Sequence, residues 1–386
     1  MKILHVISSV NPTGGGPIEA TNQFSLTMKA TGHHSEIASL DCAEATFVRK
    51  SPVPVHTLGP GHSKYCFSPR LVPWLKANRT KYDVVVVHGI WQFHSFGTWL
   101  ALHNSGTPYV VYTHGMLDPW FKKRYPLKHL KKWLFWPWSD YRVLRDAQGV
   151  LFTCEEERRL ARSSFSLYRC NERVVCYGIH GPRSNPESNL QELFRRYPEL
   201  NGKRVALFIS RIHPKKACDL VIEAFARVLA PHSDWHLVIA GPDQVGLQKD
   251  LDQRAKQLGI ASRITWTGMI SDALKWGAIQ AAEVLVLPSH QENFGIVVAE
   301  SLASRVPVLI SNKVNIWREI EADGAGIVSE DTLEGACSLL RSYLEMPTEK
   351  KFAMRKAARD CFEKRFEITK AAARLNDVLA GVCGMN

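Results

Sequence analysis

The feature that most constrains this chain is an alternation: short β-branched apolar runs, each closed by a turn residue and followed by helix-like sequence. Val84–Val87, Arg204–Ile209, Trp235–Ala240 and Val284–Leu287 are of this kind. Runs of that length bounded by Gly or Pro read as buried strands, and strand–helix alternation marks parallel α/β construction. At 386 residues the chain is long for one core and comfortable for two. The first half, 1–180, carries strand-like runs at Ile3–Ser8, Asp83–Gly89, Tyr109–Met116, Gly149–Phe152 and Arg173–Tyr177. The second, 203–367, carries them at Arg204–Ile209, Trp235–Ala240, Arg263–Trp266, Val284–Leu287, Pro307–Ile310 and Gly326–Val328. Between them 181–202, rich in Gly, Pro, Ser and Asn with one short helical piece near Leu190–Tyr197, reads as an interdomain linker.

Composition narrows the function classes. A hydrophobic content of 45% and a charged content of 22% are those of a globular chain, and no apolar run reaches the length of a spanning helix. Met1-Lys2 leads straight into a first strand and not into a secretory leader, so the cytosol is the expected compartment. Nine cysteines, an odd count without a Cys-x-x-Cys pair, argue against a disulfide framework and a structural zinc site. The net charge of +12 calls for an anionic partner. Zinc-finger spacing, a basic heptad region and an RNP-like aromatic strand are all lacking, so nucleic acid is not expected.

The chemistry-bearing residues fall where strands end. Asn11-Pro12-Thr13-Gly14-Gly15-Gly16-Pro17 joins the first strand to a helix, a natural ligand turn, although it is not the dinucleotide fingerprint Gly-x-Gly-x-x-Gly. His88 and His114 each close a strand, as structural hydrogen-bonded residues or as part of a ligand cleft. After Ile209, the turn Ser210–Lys216 holds Arg211, His213, Lys215 and Lys216, suited to neutralising a diphosphate. After Leu287 come Pro288 and the stretch Glu292-Asn293-Phe294-Gly295-Ile296, then helix-like sequence through Ala303. Gly295 lets backbone approach a ligand, and the helix start directs unpaired N–H groups at it. Glu292 lies on the loop and Glu300 a little over two turns in; carboxylates there accept from hydroxyls. Thr153-Cys154-Glu155-Glu156 reads as a capping box. Asp250-Leu251-Asp252 lies inside helical sequence with its acids pointing apart, a solvated face, and no metal site is expected.

Taken together, Pro288-Ser289, Glu292, Phe294-Gly295, Glu300–Ala303 and Val306–Leu309 resemble the Glu-x7-Glu motif of the retaining GT-B glycosyltransferases of family GT4. The resemblance runs along nearly the whole chain. Gly15 and Gly16 resemble the family's Gly-Gly turn beside the donor diphosphate and acceptor. His114 resembles its sugar-contacting histidine, and Arg211 with Lys216 its Arg-x4-Lys pair. Two departures stand out: Ala217 follows the lysine and Arg305 precedes Val306-Pro307-Val308, where the family has glycine. The resemblance implies two Rossmann-like domains facing each other across a deep cleft, an acceptor-binding 1–180 and a donor-binding 203–367, with the terminal helix 368–386 returning to the first. It implies a sugar moved with retention from a nucleoside diphosphate to a hydroxyl of a glycan or lipid-linked acceptor, in surface polysaccharide or lipid-linked oligosaccharide synthesis. Glu292, His114, Arg211 and Lys216 would be catalytic. Gly15, Gly16, Met269, Asn293, Phe294, Gly295, Ile296 and Glu300 would bind donor, with no cofactor and no metal.

One further segment, Trp120–Trp138, interleaves Lys122, Lys123, Arg124, Lys128, Lys131 and Lys132 with aromatic rings. Such a stretch suits an anionic membrane surface, or is a solvated basic face with its tryptophans packed inward. A non-catalytic peripheral membrane protein and a GT-B epimerase or phosphorylase are the competing readings.

Overall fold

The computed structural model describes residues 1–182, 185–270 and 272–385. Residues Met1–Gly178 with Ile368–Asn386 form one compact unit and Ile179–Glu367 a second.

The first unit is built on a parallel sheet of order β3-β2-β1-β4-β5-β6-β7. Its strands are β1 (Lys2–Ile7), β2 (His34–Ser39), β3 (Val55–Thr57), β4 (Val84–His88), β5 (Tyr109–Tyr112), β6 (Gly149–Phe152) and β7 (Glu172–Val174). Four consecutive valines, Val84–Val87, are fully buried in β4, as a strand covered on both faces requires. Helix α1 (Gly16–Lys29) follows β1; α2 (Pro126–Phe135) and α3 (Glu155–Ala161) lie further on. The second unit has a parallel sheet of order β10-β9-β8-β11-β12-β13. Its strands are β8 (Arg204–Ile209), β9 (Trp235–Ala240), β10 (Ile264–Gly268), β11 (Ala282–Leu287), β12 (Val308–Ser311) and β13 (Gly326–Ser329). Its helices include α4 (Pro186–Arg196), α5 (Cys218–Ala224), α6 (Gln248–Gln257), α7 (Asp272–Ala281), α8 (Ile296–Ala303) and α9 (Thr348–Cys361). A last helix, α10 (Ile368–Val382), packs on α1 in the first unit.

Both sheets run outward in two directions from a central pair, β1 beside β4 and β8 beside β11. Where the winding reverses, the loops beyond the carboxyl ends diverge and leave a crevice for a ligand.

Several sequence expectations change. In 181–202, read as a linker with a short helical piece near Leu190–Tyr197, Arg183 and Ser184 lie outside the described residues, and the helical piece is α4, which packs into the second unit against α7. Gly277 makes that contact possible, since a Cβ there would sit 2.4 Å from the Asn189 carbonyl oxygen. Strands β2 and β3 are additional to the expected set. The capping box also shifts by one residue. Cys154 is the N-cap of α3, while Thr153 donates from both its N–H and hydroxyl to Glu157.

Candidate functional site

In the second unit the loops after β8 and β11 are tied together. Lys215 offers its carbonyl to the His290 N–H at 2.8 Å. Lys216, 5% exposed, sends its ammonium into an ion pair with Glu292 and lies 3.5 Å from the Gln291 carbonyl. Ala217 holds φ 53, ψ 45, the left-handed turn that lets α5 start directly behind Lys216. Glycine adopts this conformation freely, and the alanine adopts it at some cost. Arg305, at φ 61, does likewise before β12.

Glu292 is fixed from the β12 side. Its N–H donates to Lys313 and its carbonyl accepts from Asn315, both at 3.0 Å. The Asn315 amide donates to Asn293 Oδ1 at 3.3 Å. Phe294 is buried edge-on against Phe366, ring centroids 5.6 Å apart. Gly295 caps α8 at φ 72, and a Cβ there would meet Glu292 Cγ and Val298 Cγ2 at 3.2 Å. The helix therefore begins at Ile296, and Glu300 lies about one turn into it, not the two turns expected from spacing. Ile296 supplies the first of the N–H groups that have no partner inside the helix. Glu300, 9% exposed, pairs with Lys275 on α7 at 2.6 Å, a partner that sequence spacing does not reveal.

Arg211 is exposed and donates to Gln244 Oε1 at 3.1 Å, beyond the end of β9. It stays at the same carboxyl edge as Glu292 but makes no ion pair with it. Met269, beyond β10, is 78% exposed, two strands from the β8–β11 reversal. Asp252 pairs with Lys256 one turn along α6, in keeping with a solvated face. The field at the β8 turn is positive. His213 has its pKa lowered by burial and then by Lys215, Arg211 and Lys216.

In the first unit Gly15 is exposed at φ 81 and caps α1, whose first residue is Gly16. His88 closes β4, and His114 follows β5 at φ 51. Their rings stack with centroids 5.3 Å apart. Burial and the neighbouring His94 lower the His114 pKa to about 3, so its ring is neutral at physiological pH. Both ring nitrogens already face protein groups: His88 at Nε2, 3.2 Å away, and the Tyr177 hydroxyl at Nδ1. Glu157, which the sequence reading passed over, brackets this turn. Its carboxylate accepts from the Thr113 hydroxyl at 2.7 Å and the Gly115 N–H at 2.6 Å, on either side of His114. An acid in the first turn of a helix after a strand was the available signal.

Helix α2 begins at Pro126 and stops before Pro137. Trp136 is buried, stacked on Phe165, and Lys132 lies over the Trp91 ring at 4.3 Å. Leu127, Leu130 and Leu134, at 79%, 56% and 59% exposure, face solvent in one stripe, with Trp138 exposed just beyond. Among the described residues no helix is long and apolar enough to cross a membrane.

The family model for glycosyl transferases group 1 matches residues 190–360, and that for the glycosyl transferase 4-like domain matches 15–178. A D-inositol 3-phosphate glycosyltransferase of Thermobispora bispora is 30% identical over 323 residues, 77% of this chain and 70% of the relative. The chain belongs to the GT4-type glycosyltransferases. An alpha-monoglucosyldiacylglycerol synthase of Streptococcus pneumoniae is 28% identical over 244 residues, 59% of this chain and 52% of the relative. The chain spans about half the length of the first curated relatives it matches. Among solved structures, Anabaena HepE in complex with UDP and glucose aligns with a TM-score of 0.75 at 17% identity, over 99% of this chain and 100% of the other. At that identity the likeness concerns the fold, which is that of the two-domain GT-B members of the GT4-type group.

Proposed function

We propose that the chain is a retaining, metal-independent glycosyltransferase that moves a sugar from a nucleoside diphosphate to a hydroxyl acceptor. The observation that carries this is the meeting of the β8 and β11 loops at the winding reversal of the second unit. There Lys216 and Glu292 pair beside the amino end of α8, with Glu300 one turn in. Cations and helix amides suit the two phosphates, whose charge grows as the leaving group departs. Glu300, released from Lys275, would accept from ribose hydroxyls. Glu292 would hold sugar hydroxyls and face the positive charge that develops at the anomeric carbon, and His114 is assigned to the donor sugar. Gly15 and Gly16 are assigned to close backbone approach, and Met269 to the base. The anomeric C–O bond to phosphate breaks, and the acceptor oxygen bonds to the same face. The acceptor's proton passes to the departing phosphate oxygen.

A nucleotide sugar is the donor class we favour, and UDP-glucose the first probe, because HepE was solved with UDP and glucose. A glycan or lipid-linked acceptor at an anionic membrane is supported separately by α2. A soluble surface gains nothing by turning Leu127, Leu130 and Leu134 outward, whereas a lipid boundary buries them, with Lys128 and Lys131 beside anionic headgroups.

Proton NMR of the product formed from UDP-glucose or another nucleotide sugar tests the reaction class. We expect an α-linked product from an α-linked donor. An inverted anomer contradicts retention, and sugar conversion without acceptor points to an epimerase.

A further inference from the structure

The first unit holds a continuous line of hydrogen-bonding groups, of which the reaction outlined above uses only His114. His5 Nδ1 lies 2.9 Å from His88 Nε2, and His88 Nδ1 lies 3.2 Å from His114 Nε2. His114 Nδ1 is hydrogen bonded to the Tyr177 hydroxyl. At the inner end Ser25 Oγ is 3.4 Å from His5 Nε2. His5, Ser25 and His88 are 2%, 4% and 6% exposed, so water does not substitute for these partners. Thr21 Oγ1 is 3.4 Å from each His88 nitrogen, but its hydroxyl donates to the Pro17 carbonyl at 2.8 Å. His94 stands outside the line and donates from Nε2 to the His88 carbonyl at 2.8 Å.

A neutral imidazole carries one N–H and one lone pair. Burial keeps these rings neutral, lowering the His5 pKa to about 4 and that of His88 well below its usual value. If the His88 proton is on Nε2, it donates to His5 Nδ1, and the His5 proton must then be on Nε2. His88 Nδ1 is then an acceptor, and His114 must donate from its own Nε2. If the His88 proton is on Nδ1, every assignment reverses. Any mixed set places two hydrogens or two lone pairs face to face, which is the expensive case for a buried polar group at His5–His88 and is costly at the half-buried His88–His114 contact as well. We propose that His5 and His88 are positioning residues that set the tautomer of His114, through a hydrogen-bonded chain from Ser25 to Tyr177 whose three rings share one tautomer and change it only together. Both His114 nitrogens are engaged within the unit, so the shared tautomer decides whether the Tyr177 hydroxyl donates to His114 or accepts from it. Only the expected effect on turnover rests on assigning His114 to the donor sugar.

The test uses the full chain with ring-15N histidine and long-range 1H–15N spectra, which read the tautomer of each ring. The wild-type spectrum is expected to show the same tautomer at His5, His88 and His114. His88→Phe is expected to change the His114 tautomer balance and to lower turnover of a nucleotide sugar roughly tenfold, with the donor KM nearly unchanged. His5→Asn, which keeps a donor and an acceptor near the Nδ1 position, is expected to leave His88 and His114 with the wild-type pattern. Differing tautomers among the three wild-type rings overturn the proposal, as does a His114 signal unmoved by His88→Phe. If the spectra agree but no nucleotide sugar is turned over, the transferase reading falls and the chain of rings stands.

Discussion

At the residue scale, two departures from the family pattern become intelligible once the backbone is known. Ala217 and Arg305 stand in the left-handed region, which glycine adopts most readily. Arg305 is exposed, so its side chain brings little packing in return for the strain. Arg305→Gly is expected to stabilise the second unit by about 1 kcal/mol in urea unfolding; destabilisation would contradict the strain argument. Lys216→Met would leave the Glu292 carboxylate without its cation in a largely covered place. It is expected to cost about 1–3 kcal/mol by the same measurement, besides lowering turnover. Glu292, Glu300, Arg211 and Lys216 were legible because each follows a strand in a short motif. Lys275 was not, because its partner is 25 residues away, and the place of Glu157 in the helix was legible but its bonds across 42–44 residues to either side of His114 were not.

At the element scale, the strands most visible in the sequence are those buried on both faces. Arg204–Ile209, Trp235–Ala240 and Gly149–Phe152 match the observed strands residue for residue. Those missed lack that signature. β2 reads His-Ser-Glu-Ile-Ala-Ser and is buried only in its last three residues, and β3 has three half-buried residues. Pairing with β1 and then with β2 makes them strands, a tertiary cause that local propensity does not carry. In 181–202 the helical piece near Leu190–Tyr197 was legible, but the earlier start of α4 at Pro186 and its packing against α7 were not, because the close approach of Asn189 to Gly277 is a tertiary contact. Gly277→Ala is expected to push the two helices apart and cost about 1–3 kcal/mol in thermal or chemical unfolding. For α2, Leu130→Ser with Leu134→Ser is expected to abolish sedimentation with vesicles containing phosphatidylglycerol and to leave the melting temperature within a degree or so. Unchanged vesicle binding would remove the lipid-facing role of this helix.

At the scale of the whole molecule, two parallel sheets each place their chemistry-bearing residues where the winding reverses. The first unit gathers neutral histidines there, and the second gathers cations and acids. The histidines make the first unit sensitive to acid. His5 and His94 are lowered by burial to about 4, His114 to about 3, and His88 well below its usual value. Above about pH 6.5 these rings are neutral both folded and unfolded. Below it the unfolded chain takes up protons that the folded rings refuse, so stability falls as the pH drops towards 4. Each ring contributes up to about 1.4 kcal/mol per pH unit in that window. Unfolding midpoints at pH 7.5, 6 and 5 check this, and a flat series would contradict it. Sugar transfer at this site requires a diphosphate held beside the Lys216–Glu292 pair, and donor binding measures that directly. Calorimetric titration of a panel of UDP- and GDP-sugars into the wild-type chain, Arg211→Ala and Glu300→Ala is the decisive experiment. One donor is expected to bind the wild type saturably and each variant at least about tenfold more weakly; a donor that binds all three alike, or a panel from which none binds, would contradict the account.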